Sequence, residues 1–96
     1  MAKSEFFTKE YTGAGAAITI NEDDGLTAIS ISVTGTGTSA ASVTGTLQVN
    51  ADVSGAINIS SGESLTISTN DGKVLDGLLI TRASSGSNKT RLIGRQ

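Results

Sequence analysis

From Val43 to Val53 the chain alternates without a break: Val43, Gly45, Leu47, Val49, Ala51 and Val53 share one parity, and Thr44, Thr46, Gln48, Asn50 and Asp52 the other. Successive side chains of a strand point to opposite faces, so such a run makes a strand with one apolar and one polar side. Wound into a helix, the same residues would scatter their apolar groups around the whole circumference. The signature recurs at Ile18 and Ile20 around Thr19, and at Ile29, Ile31 and Val33 between Ser30, Ser32 and Thr34. Ile57 with Ile59 and Leu65 with Ile67 give shorter strands, and Thr90 to Gly94 reads as a last one.

Between these runs stand polar breaks. Asn21 to Gly25 is a turn and Gly35 to Ser39 a loop. Ser54-Gly55 reads as a tight hairpin connection into Ile57 and Ile59, and Ser60 to Glu63 turns the chain again. Asn70-Asp71-Gly72 is the strongest hairpin signal, because Asn or Asp followed by Gly accepts the positive φ that two-residue turns demand. Lys73 to Thr81 places apolar residues on both parities, which predicts either two covered faces or a bulge at Asp76-Gly77. Ala83 to Lys89 reads as a loop. About seven to eight short strands, with no helical period, predict a small antiparallel β-sandwich or jelly-roll-like barrel.

The first residues differ from the rest. Phe6, Phe7 and Tyr11 are the only aromatic side chains of the protein, and Gly13-Ala14-Gly15-Ala16-Ala17 follows them. A stretch of Gly and Ala bends and extends at little cost. Residues 1–16 are therefore expected to be an N-terminal arm with its hinge, and residues 17–96 the β-sandwich domain. Phe7 and Tyr11 are four apart, so one helical turn would face them alike, while an extended arm would put Phe6 and Tyr11 on opposite sides. The arm either caps its own sandwich or anchors on a neighbouring subunit. Burying each ring is worth roughly 1.5–3 kcal/mol, and aromatics are frequent interface anchors.

Catalysis finds little to work with. The chain has no His and no Cys, which removes Ser-His and Cys-His chemistry, thiol nucleophiles, disulfides and the usual zinc sites. Carboxylates cluster only at Glu22-Asp23-Asp24, consecutive residues of a turn, without the facing pair that glycoside hydrolysis uses. That turn also lacks the register of an EF-hand loop. Gly13-x-Gly15 and Gly35-x-Gly37 complete no phosphate-binding signature and precede no helical pattern. The expectation is a protein that is not an enzyme and that holds neither cofactor nor metal.

Charge is unevenly placed. Residues 1–76 carry all nine acids and three of the seven basic residues; Arg82, Lys89, Arg91 and Arg95 follow with no acid among them. From Gly25 to Gly62 the single charged residue is Asp52. Ordinary soluble surfaces are about a quarter to a third charged, so this stretch suits a surface that faces other protein. The basic cluster has no aromatic for base stacking and the net charge is −2, so nucleic acid is not expected as a partner. It suits acidic neighbours in an oligomer, such as Glu22 to Asp24 of another copy. No run of 18 apolar residues occurs, so no helical membrane span is expected, and no apolar run behind Lys3 suggests a secretory signal. Domains of about this size seldom gain more than about 3–5 kcal/mol from one core. With no disulfide and no metal cage, oligomerisation is the support that remains.

The arm Phe6-Phe7-x-x-x-Tyr11, the alternating run Val43–Val53 and the Asn70-Asp71-Gly72 turn together resemble, in style over the whole chain, the small structural proteins of tailed-phage virions, of the capsid decoration or cement type. The resemblance implies a homo-oligomer, a trimer favoured, that binds major capsid or other virion proteins and braces coat subunits in a virion assembled in the host cytoplasm. On this reading Phe6, Phe7, Tyr11, Arg82, Lys89, Arg91 and Arg95 form the partner interface. A tail, head–tail junction or fibre-base component is the nearest alternative, and an adhesin or carbohydrate-binding β module the alternative of another class. The body lacks the aromatic that sugar sites stack against.

Overall fold

A computed structural model describes residues 6–45, 57–69 and 73–96 of the chain. These described residues contain eight strands: β1 (Phe6–Thr12), β2 (Ile18–Ile20), β3 (Ala28–Gly35), β4 (Ala41–Gly45), β5 (Ile57–Ile59), β6 (Ser64–Ser68), β7 (Leu78–Thr81) and β8 (Asn88–Arg95). They form two four-stranded sheets, ordered β1-β8-β3-β6 and β2-β7-β4-β5, and every pairing is antiparallel. This is the antiparallel β-sandwich expected, in jelly-roll order. Among the described strands only β4 and β5 are consecutive within one sheet; every other link carries the chain from one sheet to the other.

Alternation decides what each strand buries. Along β8, Asn88, Thr90, Leu92 and Gly94 face inward, while Lys89, Arg91, Ile93 and Arg95 face out. On β3, Ile29, Ile31 and Val33 are buried between half-buried serines. From the second sheet Ile20, Val43, Ile59 and Ile80 meet them, and Leu26, Leu75 and Ala83 close the cluster from the links. Every buried hydrophobic side chain described is aliphatic or alanine. Each large one contributes roughly 1.5–3 kcal/mol by leaving water.

The structure corrects several expectations of pairing. Residues 6–12, expected to stand apart as an arm, are the first strand of the body: Phe7 to Thr12 lie opposite Gly94 to Lys89. Thr8, Glu10 and Thr12 alternate with Phe7, Lys9 and Tyr11, which is strand periodicity that the rings conceal by drawing the eye to aromatic spacing. The long alternating run enters β4 at its start, and its remainder, with Ser54-Gly55, lies outside the described residues. On the far side of that gap, Ile57 pairs with Val43 of β4. Asn70-Asp71-Gly72 also lies outside the described residues, and the strands on either side of it belong to different sheets.

In the run from Lys73 to Thr81 only Leu78–Thr81 is strand. Gly77 takes a φ of 77°, the left-handed region, and donates to the Ile20 carbonyl at 3.0 Å. Leu75, upstream of that break, donates its N–H to the Leu26 carbonyl at 2.6 Å and buries its side chain. The mixed parity thus records a buried leucine outside the strand. The Asn21–Gly25 turn is as expected: one turn of 3-10 helix, Glu22–Asp24, in which the Asn21 side chain accepts from Asp23 N–H (3.0 Å) and Asp24 Oδ2 accepts from Asn21 N–H (2.9 Å).

Candidate interaction surface

The basic residues of the last strand form a row because β8 alternates. Lys89, Arg91 and Arg95 project from the outer face of the first sheet, with Ile93 among them. Across β1, Thr8 lies opposite Ile93, Glu10 opposite Arg91 and Thr12 opposite Lys89. On the other flank Ser30 lies opposite Ile93, Ser32 opposite Arg91 and Thr34 opposite Lys89. The face is a field of serine and threonine around one aliphatic side chain, Ile93, which is 52% exposed. Shallow depressions flank it, one bordered by Thr8, Glu10 and Arg91, the other by Ser30, Thr66 and Arg95.

Glu10 ties this face together. Arg91 Nε donates to its Oε2 at 2.6 Å, and Lys89 Nζ lies 3.6 Å from Oε1. The Arg91 hydrogen bond holds the Glu10 carboxyl below the usual glutamate range against an opposing desolvation, and the charges of Arg91 and Lys89 act in the same direction as the hydrogen bond. The acid expected from another copy is thus supplied within the chain. Asp76 is likewise occupied at home, since its Oδ1 accepts from the Glu22 N–H at 3.2 Å.

Arg82 stands apart from the row. It follows β7, and its guanidinium lies 4.8 Å from the centre of the Tyr11 ring, a cation–π arrangement. Nη2 also donates to the carbonyl of Ala14, while Nε is buried without a partner. Tyr11 and Phe7 are half-buried against the core, and the Lys9 ammonium stands 5.9 Å from the Phe7 ring. Phe6 is placed by its backbone opposite Arg95. Apart from Phe6, the residues expected at one interface therefore divide among a basic row, an inward-facing pair of rings and a cation that holds the hinge.

Two features escaped the sequence reading. The first is Ile93, whose outward position is signalled by the charged residues that share its parity at 91 and 95. The second is an edge. Among the described residues β6, Ser64–Ser68, closes the first sheet on the side away from β1, and it contains neither charge nor proline. Its bond to β3 is fixed by Val33 N–H donating to the Glu63 carbonyl, so by antiparallel alternation the backbone groups of Ser64, Thr66 and Ser68 point to the open side. Thr66 Oγ1 and Ser30 Oγ share a 2.9 Å hydrogen bond that steadies the strand on its outer face.

No family model matches the sequence, and no curated protein matches it. Among solved structures, a chain from Bacillus endospore appendages, described as a novel family of disulfide-linked pili, is similar with a TM-score of 0.50 and 14% sequence identity. The likeness covers 97% of this chain and 85% of that one, and at this identity what the two share is the fold.

Proposed function

We propose that the protein is a non-enzymatic structural subunit that works by joining copies of itself into a larger assembly. The observation that carries this reading is the edge strand β6. Sheet edges are normally blunted by charge, proline, bulges or a covering segment, and within Ser64–Ser68 there is no charge and no proline. Two supports stand beside it: the nearly uncharged stretch from Gly25 to Gly62, and a core built without aromatics in a small domain. The fold shared with a pilus protein agrees with assembly. Disulfide links do not carry over, because this chain has no cysteine. Its contacts are backbone pairing and polar surface, and many weak copies supply avidity.

Bracing a virion is the form of this proposal that the sequence resemblance implies. Copy-to-copy association is the form that the open edge supports, and it is the one we adopt. Light scattering and negative-stain microscopy on the purified chain test it. Regular particles or filaments are expected, and a chain that stays monomeric at high concentration refutes the reading. Thr66→Lys places a charge on the open edge while leaving the ladder to β3 intact. It is expected to abolish assembly while the far-ultraviolet spectrum of the β fold is retained.

A further inference from the structure

Resting on that reading, we propose that β1 is exchanged between copies: the strand leaves its own β8 and pairs in the same register with β8 of a second copy. Three observations lead there. First, β1 lies at the margin of the core, against which its rings pack without being fully buried. Among the described residues no buried core side chain belongs to β1, and its rings Phe7 and Tyr11 are only half-buried. Its ladder is to β8 alone, on one side.

Second, the link that would swing is built for it. Gly13-Ala14-Gly15-Ala16-Ala17 joins β1 to β2, and its residues from Ala14 onward are exposed. Gly and Ala leave such a link many conformations at small cost. Gly13 N–H bonds the Asn88 carbonyl at its start, and beyond it the tie is Arg82, which donates to the Ala14 carbonyl and covers Tyr11 with Nε unsatisfied. A buried donor without a partner weakens that tie, because the closed form carries its desolvation.

Third, the contacts that hold β1 are indifferent to which chain supplies it. Glu10 with Arg91 and Lys89, and Thr8 opposite Ile93, form equally well between copies. When interactions within and between copies match, the hinge and the concentration decide, which is the basis of segment exchange. Each copy gives one β1 and receives one. A head-to-tail series of that kind extends openly when the rotation does not close.

The absence of cysteine makes the test direct. Thr8 and Ile93 face each other at a non-hydrogen-bonded pair, given that Gly13 N–H bonds the Asn88 carbonyl, and both are exposed. Cross-strand neighbours of that type suit a disulfide. The full chain carrying T8C and I93C is assembled, oxidised and run on a denaturing gel without reductant. A ladder of covalent multimers with loss of the monomer band is expected, and assembled material that yields only cross-linked monomers overturns the exchange while leaving self-assembly standing. A chain that never assembles overturns both. Mixing chains that carry T8C alone with chains that carry I93C alone gives a second reading free of the double substitution. Disulfides between positions 8 and 93 are expected to exceed 8–8 and 93–93 pairs, and equal yields count against the proposal. Deleting residues 14–16 shortens the hinge and is expected to shift the double variant further toward multimers; a shift toward monomers contradicts exchange.

Discussion

At the scale of single residues, the fold depends on small side chains where loops meet strands. Gly35 ends β3 with a φ of 117°, and a Cβ there would sit 2.0 Å from the Ser87 carbonyl oxygen, a backbone atom that cannot move aside cheaply. Gly86, one residue before Ser87, has open space where a Cβ would stand. Gly35→Ala is expected to destabilise by about 1–3 kcal/mol or more, from strain and close contact together. Gly86→Ala is expected to be neutral or to stabilise by up to about 1 kcal/mol through the unfolded chain. Urea unfolding midpoints of the two variants measure the contrast, and equal effects would contradict the packing described for the loop. Polar residues matter in the same region: Asn88 and Thr90 are buried on β8, and Thr90 Oγ1 accepts from the Ala83 N–H at 3.1 Å.

Pairs of strands are the next scale, and β1 with β8 is the informative pair. Glu10 is ionised at neutral pH and its folded-state affinity for a proton is lowered, so its contribution is fully present above the ordinary glutamate range. It disappears as the pH falls through that range and below it. The urea midpoint of the native chain is therefore expected to exceed that of Glu10→Gln at pH 7, with the gap closing on acidification. The ion pair is exposed, so the gap is small and shrinks in high salt. A gap that widens in acid would contradict the geometry. The same strands show what a sequence can disclose. Ile18–Ile20 and Ile29–Val33 are legible because apolar alternation reports burial on one face. The start of β8 is not, since Asn88 occupies an inward position as a polar residue and, with Lys89, looks like loop. Strand partners are harder still. Turn chemistry at Asn70-Asp71-Gly72 suggests neighbours within one sheet, whereas a chain that crosses between sheets at nearly every link separates local signal from pairing. The candidate surface fared similarly: the basic row was visible as composition, but its partner Glu10 lies 81 positions away from Arg91.

For the whole molecule, stability and assembly are one question. A core of aliphatic side chains in a domain of this size supplies a small margin, roughly 3–5 kcal/mol. Association that favours the folded chain adds to it by mass action. The thermal midpoint is therefore expected to rise with protein concentration over the range in which light scattering reports assembly, and to be insensitive to reducing agents. A midpoint independent of concentration in assembling samples would show that the contacts form between domains already secure alone.

The place of β8 between β1 and β3 has a consequence for synthesis. On the ribosome β1 is made first and β3 soon after, yet the two do not touch as neighbours in the sheet; the strand that joins them comes from residues 88–95. Until those residues emerge, β1 has no partner in its own chain. Each newly made chain thus passes through an interval with β1 unpaired, and the proximity of other chains on the same messenger RNA then bears on which β8 that strand meets.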